Sequence, residues 1–113
     1  MKIIITGASG AIGRALAKVL ATSDNTLVLV GRNSEKLNAL NAELGGAHLV
    51  HSADLTNADG VASLQAAIAD LGTVDALAHC VGSTVVRPLH MTPEKDWHEQ
   101  FHTNATSAFL MLK

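Results

Sequence analysis

The stretch "IIITGASGAIGRAL", residues 3–16, decides how this chain folds. A branched-aliphatic run ends at Thr6, glycines follow at Gly7, Gly10 and Gly13, and a helical pattern starts within the same segment. A chain that leaves a strand, turns sharply and starts a helix close to the strand's end needs residues without a Cβ. The free N–H groups and partial positive charge of such a helix start suit a diphosphate. The same glycines also suit a tight packing turn that binds nothing, so the spacing alone does not choose between them.

The surroundings favour the first reading. Short aliphatic runs at residues 2–6, 26–30, 47–51 and 74–79 alternate with amphipathic segments. Nearly continuous apolar runs of this length suit strands buried on both faces, hence a parallel sheet. The first helix, from about Gly10 to Ala21, is expected to bury Ile12, Leu16, Val19 and Leu20. A second opens at Asn33 or Ser34, places Leu37, Leu40 and Leu44 on one stripe, and stops at Gly45-Gly46. A third opens at a capping box of Thr56 and Asp59, carries Val61, Leu64, Ile68 and Leu71, and ends at Gly72. Thr92-Pro93-Glu94 reads as cap, first-turn proline and first-turn acid of a fourth helix running through Trp97, Phe101, Ala105 and Ala108. This order is that of a doubly wound α/β parallel sheet, and right-handed crossovers give strand order 3-2-1-4 with a switch point between the first and fourth strands.

At 113 residues the chain is one domain with room for a real core. It is 48% hydrophobic and 16% charged, with a formal charge of −2 and no basic run, which argues against a nucleic-acid or anionic-membrane partner. The single cysteine, Cys80, excludes an internal disulfide framework and fits a reducing compartment. No signal-like or spanning segment is visible, so a cytoplasmic location is expected.

Three further positions bear on chemistry. A carboxylate after the second strand would bond an NAD ribose, but this chain has Gly31-Arg32-Asn33 there. A guanidinium can grip a 2′-phosphate in a fork, which favours NADP(H) over NAD(H); the alternative is a solvated turn residue. Asp54 follows the third strand, where its carboxylate can accept a bond from an adenine amino group or serve local turn bonds. Gly82 closes the fourth strand and lets the backbone pass close to a ligand's ribose.

Taken together, "TGASGAIG" (6–13), "ADLT" (53–56), "AHCVG" (78–82) and "NATSAF" (104–109) resemble the short-chain dehydrogenase/reductase family over the whole chain. The resemblance implies a Rossmann-like domain at residues 1–113, and hydride transfer between NAD(P)(H) and a small alcohol or carbonyl substrate. By its motifs, Thr6, Gly7, Ser9, Gly10, Ile12 and Gly13 resemble the pyrophosphate loop. Arg32 resembles the 2′-phosphate contact, Asp54 the adenine contact, and Val81-Gly82 the ribose-side backbone. Asn104 resembles the catalytic asparagine that helps hold a proton-relay water.

The sequence also departs from the pattern. Glycine stands at Gly10 where the common classical loop has it at Ala11, and the usual Asn-Asn-Ala-Gly reads His79-Cys80-Val81-Gly82. The family's Tyr and Lys acid/base pair, with its upstream Ser, lies beyond the asparagine, and this chain has no tyrosine. The chain therefore reads as the N-terminal cofactor-binding portion of a longer enzyme, inactive alone. The competing reading is a non-catalytic dinucleotide-binding module, and self-association into a homo-oligomer is left open.

"HEQFH", residues 98–102, formally matches a zinc-peptidase His-Glu-x-x-His. A catalytic zinc needs a third protein ligand, and residues 103–113 contain no His, Asp, Glu or Cys, so no metal is expected. Arg87 and His90 lie in the loop after the fourth strand, where either a substrate contact or ordinary loop polarity explains them.

Overall fold

The computed structural model describes residues 1–22 and 24–113. Strands β1 (Lys2–Thr6), β2 (Thr26–Gly31), β3 (Leu49–Ser52) and β4 (Ala76–His79) form one sheet in the order β3-β2-β1-β4. All its pairings are parallel, with Thr6 opposite both Val30 and His79. Helices α1 (Ala11–Leu20), α2 (Ser34–Glu43) and α3 (Ala58–Ile68) are the crossovers. After β4 come a short 3-10 turn, α4 (Glu94–Phe101), a π-helical turn (His102–Thr106) and α5 (Ser107–Leu112).

Side-chain alternation along β1 and β2 feeds two cores. Ile3, Ile5, Leu27 and Leu29 pack on one face with Ala8, Ala17, Leu37 and Leu40. Ile4, Val28 and Val30 pack on the other with Leu55, Val61 and Leu64, joined by Leu110 and Met111. Leu27 to Val30 are fully buried; each such side chain stabilises the fold by about 2 kcal/mol. The near-continuous apolar runs of β1 and β2 thus mark strands covered on both faces, whereas β3 and β4 are only half-buried.

The ends of the outer strands are shorter than their aliphatic runs. The Asn41 side chain bonds both the N–H and the carbonyl of His48, and the His48 ring accepts the Leu27 N–H. Pairing of β3 with β2 therefore starts only at Leu49. Asn33 caps α2 by accepting the Lys36 N–H, and Gly45 and Gly46 end that helix at positive φ, as the sequence predicts.

Four expectations need correction. In α1 the buried residues are Gly13 and Ala17; Leu16 and Leu20 are partly buried, whereas Ile12 and Val19 are 77% and 71% exposed. The helix approaches the sheet so closely that small residues mark its inner face. The cap of α3 is Asn57, which accepts the Gly60 N–H, because the Thr56 hydroxyl is turned instead onto Asp54. Pro93 is the cap of α4, one position before the expected first turn. Finally, Trp97, Phe101 and Ala105 are exposed, and the helix expected to carry them in one stripe is interrupted by the π turn.

Candidate cofactor cleft

The site lies at the carboxyl edge of the sheet, at the switch point between β1 and β4. A cleft of about 330 Å³ there is lined by Gly7, Ser9 and Gly10, by Gly31 to Asn33 and Lys36, by Ala53 to Thr56, by Cys80 to Ser83, and by Thr103. Of the residues expected at a site, it brings together Gly7, Ser9, Gly10, Arg32, Asp54, Val81 and Gly82. Thr6, Ile12, Gly13 and Asn104 do not line it.

The loop after β1 is shaped by backbone contacts. Gly7 has φ +64°, and a Cβ there would lie 2.5 Å from the Cys80 carbonyl oxygen. Only glycine permits both the turn and the approach to β4. Gly10 caps α1 without any side-chain bond, and its own N–H donates to the Gly7 carbonyl at 3.0 Å. The first turn of α1 carries no acidic residue, so no side-chain carboxylate of that turn competes for its unpaired N–H groups. Gly13 acts from behind, seating α1 against the Gly7 peptide. Thr6 is fully buried below the loop, with its hydroxyl 2.7 Å from His79 Nδ1.

At the β2 end, Ser52 donates its hydroxyl hydrogen to the Arg32 carbonyl, and Ala53 N–H bonds the Gly31 carbonyl. These bonds fix the peptide of Arg32. Among the described residues its guanidinium has no carboxylate within ion-pair distance. Asp54 Oδ1 accepts both the Thr56 N–H (2.9 Å) and the Thr56 hydroxyl (2.6 Å). These bonds, the hydroxyl's first, hold the Asp54 carboxyl below its ordinary 3.8, with a smaller contribution from the Arg32 charge. Both Thr56 bonds go to Oδ1 and neither to Oδ2.

At the β4 end, Asn104 clamps the loop. Its Oδ1 accepts the Ser83 N–H at 2.8 Å, and its Nδ2 donates to the Ser83 carbonyl and to Gln100 Oε1. A Cβ on Gly82 would sit 3.2 Å from the same Oδ1. Asn104 lies within the π turn, a helix irregularity frequent at functional sites.

Sequence reasoning did not single out Lys36, Thr56, Ser83 or Thr103. For Lys36 a signal existed: a cation in the first turn of a helix opposes the helix dipole and invites another explanation. The other three needed the tertiary fold. Of the remaining candidates, Arg87 pairs with Asp96 at 3.0 Å and His90 sits on the 3-10 turn Leu89–Met91. His98 bonds Glu94, while Glu99 and His102 border a second cleft of about 590 Å³ that opens beside Arg32 and Thr56. Among the described residues no group of three His, Cys, Asp or Glu side chains is placed to hold a metal. No helix among them is long and apolar enough to cross a membrane.

A glycine-turned helix start at the switch point of a parallel 3-2-1-4 sheet defines a Rossmann-type α/β protein. The short chain dehydrogenase family model matches residues 1–113, and the chain belongs to that family. It is 38% identical over 113 residues to Nodulation protein G of Rhizobium sp. (strain N33), covering 99% of this chain and 46% of that protein. Serine dehydrogenase complexed with NADP+ superposes with a TM-score of 0.91 at 24% identity, over 99% of this chain and 46% of that one. The 3-ketoacyl-(acyl-carrier-protein) reductase of Brucella melitensis, complexed with NADH, gives 0.88 at 25% identity, over 98% and 46%. The chain thus spans less than half the length of these relatives.

Proposed function

We propose that this chain is the cofactor-binding portion of an NADP(H)-dependent oxidoreductase. The observation that carries the reading is the pair Arg32 and Lys36 lining the same cleft as the Gly7–Gly10 loop, at the end of the sheet where a carboxylate would select NAD. The cleft's chemistry supports a dinucleotide along its length. The α1 start and the Gly7 turn offer N–H groups to a diphosphate. Arg32 and Lys36 offer charge to a 2′-phosphate. Asp54 Oδ2 is available to an adenine amino group, and the Val81-Gly82 backbone lies where a ribose would pass.

When bound, the nicotinamide supplies a hydride for exchange with an alcohol or carbonyl carbon. This chain's residues bind and orient; with no tyrosine, they include no phenol to give or take the accompanying proton. Asn104 is proposed to act by holding the Ser83 loop and the π turn in register at the end of the cleft facing the chemistry. The alternative reading is a dinucleotide-binding module without catalysis, which the same cleft would serve.

Titration of the chain with NADPH and with NADH tests the cofactor reading. Tighter NADPH binding, weakened about tenfold or more in Arg32→Ala while NADH binding is unchanged, is expected from loss of a charge-assisted contact. Equal affinities, insensitive to Arg32→Ala, would overturn it. Reading the coding DNA beyond Lys113 separates enzyme from module: a downstream Tyr-x-x-x-Lys supports the enzyme and a stop codon the module.

A further inference from the structure

His79 stands where the family pattern has an asparagine, and its ring is held at both nitrogens. Nδ1 lies 2.7 Å from the Thr6 hydroxyl on β1, and Nε2 lies 3.1 Å from the Ser107 hydroxyl at the start of α5. Both hydroxyl residues are fully buried. The hydrogens can be assigned. Ser107 donates its only hydroxyl hydrogen to the Thr103 carbonyl at 2.6 Å, so toward the ring it can only accept. Nε2 therefore carries a proton. In the neutral ring Nδ1 then accepts the Thr6 hydroxyl hydrogen, while the Cys80 N–H is shared between the Thr6 carbonyl (3.1 Å) and Thr6 Oγ1 (3.2 Å). The chain Cys80 N–H, Thr6, His79, Ser107, Thr103 carbonyl is complete with a neutral ring, and every group in it has a partner.

We propose that His79 is a positioning residue, a neutral Nε2–H lock that holds the strand under the Gly7 loop and the segment carrying Asn104 in one register, and that its protonation loosens the Gly7 loop and the β4 end of the cleft. Thr6 is the residue immediately before Gly7; Thr103 and Ser107 bracket Asn104 in the chain. A single ring thus joins the supports of the Gly7 loop and of the β4 end of the site. A second proton on Nδ1 would turn that nitrogen from acceptor into donor. The Thr6 hydrogen would then lose its acceptor in a buried place, which is costly.

Burial alone holds the ring below the ordinary 6.5, in keeping with the neutral form. The ionisable groups on the neighbouring elements are Lys2 on β1, Cys80 after β4, Asp59 on α3, His102 in the π turn, Lys113 after α5, and Arg14 and Lys18 on α1. None contributes to the shift. Lys2 is at the opposite end of β1, where its backbone N–H bonds Asp75; Arg14 and Lys18 face Glu43; Lys113 lies over Phe109. With the folded value below the unfolded one, the unfolded chain takes up the proton first as pH falls. The lock's contribution is complete above 6.5 and declines below it toward the folded value.

The structural part of the lock stands without the cofactor, and its effect on the cleft rests on the cofactor reading above; the tests separate the two. Ring nitrogen NMR of the wild-type chain should show His79 as the Nε2–H tautomer at about pH 7.5. As His79 becomes protonated, amide protection at Gly10 and Ser83, corrected for the pH dependence of intrinsic exchange, should fall together. An Nδ1–H tautomer, a ring charged at neutral pH, or exchange indifferent to that titration would overturn the lock. Titration with NADP+ should be at least about threefold weaker at about pH 5.5 than at about pH 7.5. Thr6→Ser should keep that pH dependence, whereas Thr6→Val and His79→Asn should abolish it. Dependence persisting unchanged in His79→Asn would refute the assignment to this ring. Absence of NADP+ binding at every pH would sink the cofactor reading, while the ring and exchange measurements still decide the lock.

Discussion

A Cβ on Gly13 would lie 2.2 Å from the carbonyl oxygen of Gly7, whereas one on Gly10 would lie 3.3 Å from the same atom. The two glycines of one motif therefore do different work. Gly13 has no room behind it, and Gly10 has open space on the cleft side.

Gly13→Ala should accordingly destabilise the chain by about 2 kcal/mol or more, since backbone on both sides must shift. Gly10→Ala should cost only within about 1 kcal/mol, the difference between glycine and alanine at a helix cap. Thermal or urea unfolding of the two variants checks the order, and equal losses would contradict the geometry.

Gly60 offers a sharper case. A Cβ there would fall 1.7 Å from the Asp54 carbonyl oxygen, in the first turn of α3. Gly60→Ala should lose at least about 3 kcal/mol, among the largest single-residue effects. Gly46→Ala, at φ +80° but with nothing within 4 Å, should lose only the left-handed strain of about 1 kcal/mol. Urea unfolding of both separates steric exclusion from backbone strain.

Thr56→Val should remove the hydroxyl bond that contributes most to lowering the Asp54 carboxyl. Because the folded value lies below 3.8, the carboxylate's contribution to stability is present above pH 3.8 and is lost as pH falls through the folded value. The variant should raise the Asp54 titration midpoint toward 3.8 and shrink the acid limb of the stability profile at that group. Carboxyl-carbon NMR reads the midpoint directly, and an unmoved midpoint would show that Thr56 is not its cause.

Lys36→Ala should weaken NADPH binding by roughly threefold, less than Arg32→Ala, since an exposed cation adds modestly and is screened by salt. The loss should shrink as salt is raised, and NADH binding should not change. An equal effect on both cofactors would place Lys36 away from the 2′-phosphate.

The sheet order and the location of the cleft were legible because each rests on local patterns joined by one handedness rule. Aliphatic runs, the Asn33 cap and the Gly45-Gly46 stop sufficed. What periodicity could not give was the inner face of α1: the apolar stripe of "AIGRALAKVL" centres on Ile12, Leu16 and Val19, opposite Arg14 and Lys18, and the contact with the sheet is rotated off that centre. There the smallest residues, Gly13 and Ala17, mark the closest approach, and the large Ile12 and Val19 are left outside. The cap of α3 went to Asn57 rather than Thr56 for a related reason: Asp54, two residues earlier, captures the Thr56 hydroxyl. Gly60 was invisible because its need arises from a carbonyl six residues back that only the folded turn brings near. The strand-end positions of Arg32 and Asp54 put both on the cleft's lining, but the commitment of one Asp54 oxygen to Thr56 required the side-chain geometry.

The burial of Leu27 to Val30 on β2, against the half-burial of β3 and β4, grades the sheet's rigidity from its middle outward. Amides of β1 and β2 should be the last to exchange with solvent, and those on either side of the sheet the first. The cleft inherits this gradient. Its Arg32 end is set at the tip of the most deeply buried strand, so a ligand gripping there meets a surface already in place. Its Gly82 end hangs on a four-residue strand and on the Asn104 clamp, so the same ligand must spend conformational entropy to organise it. On the proposed cofactor reading, affinity would be anchored at the Arg32 end, and the Gly82 end is the one that ligand binding would order.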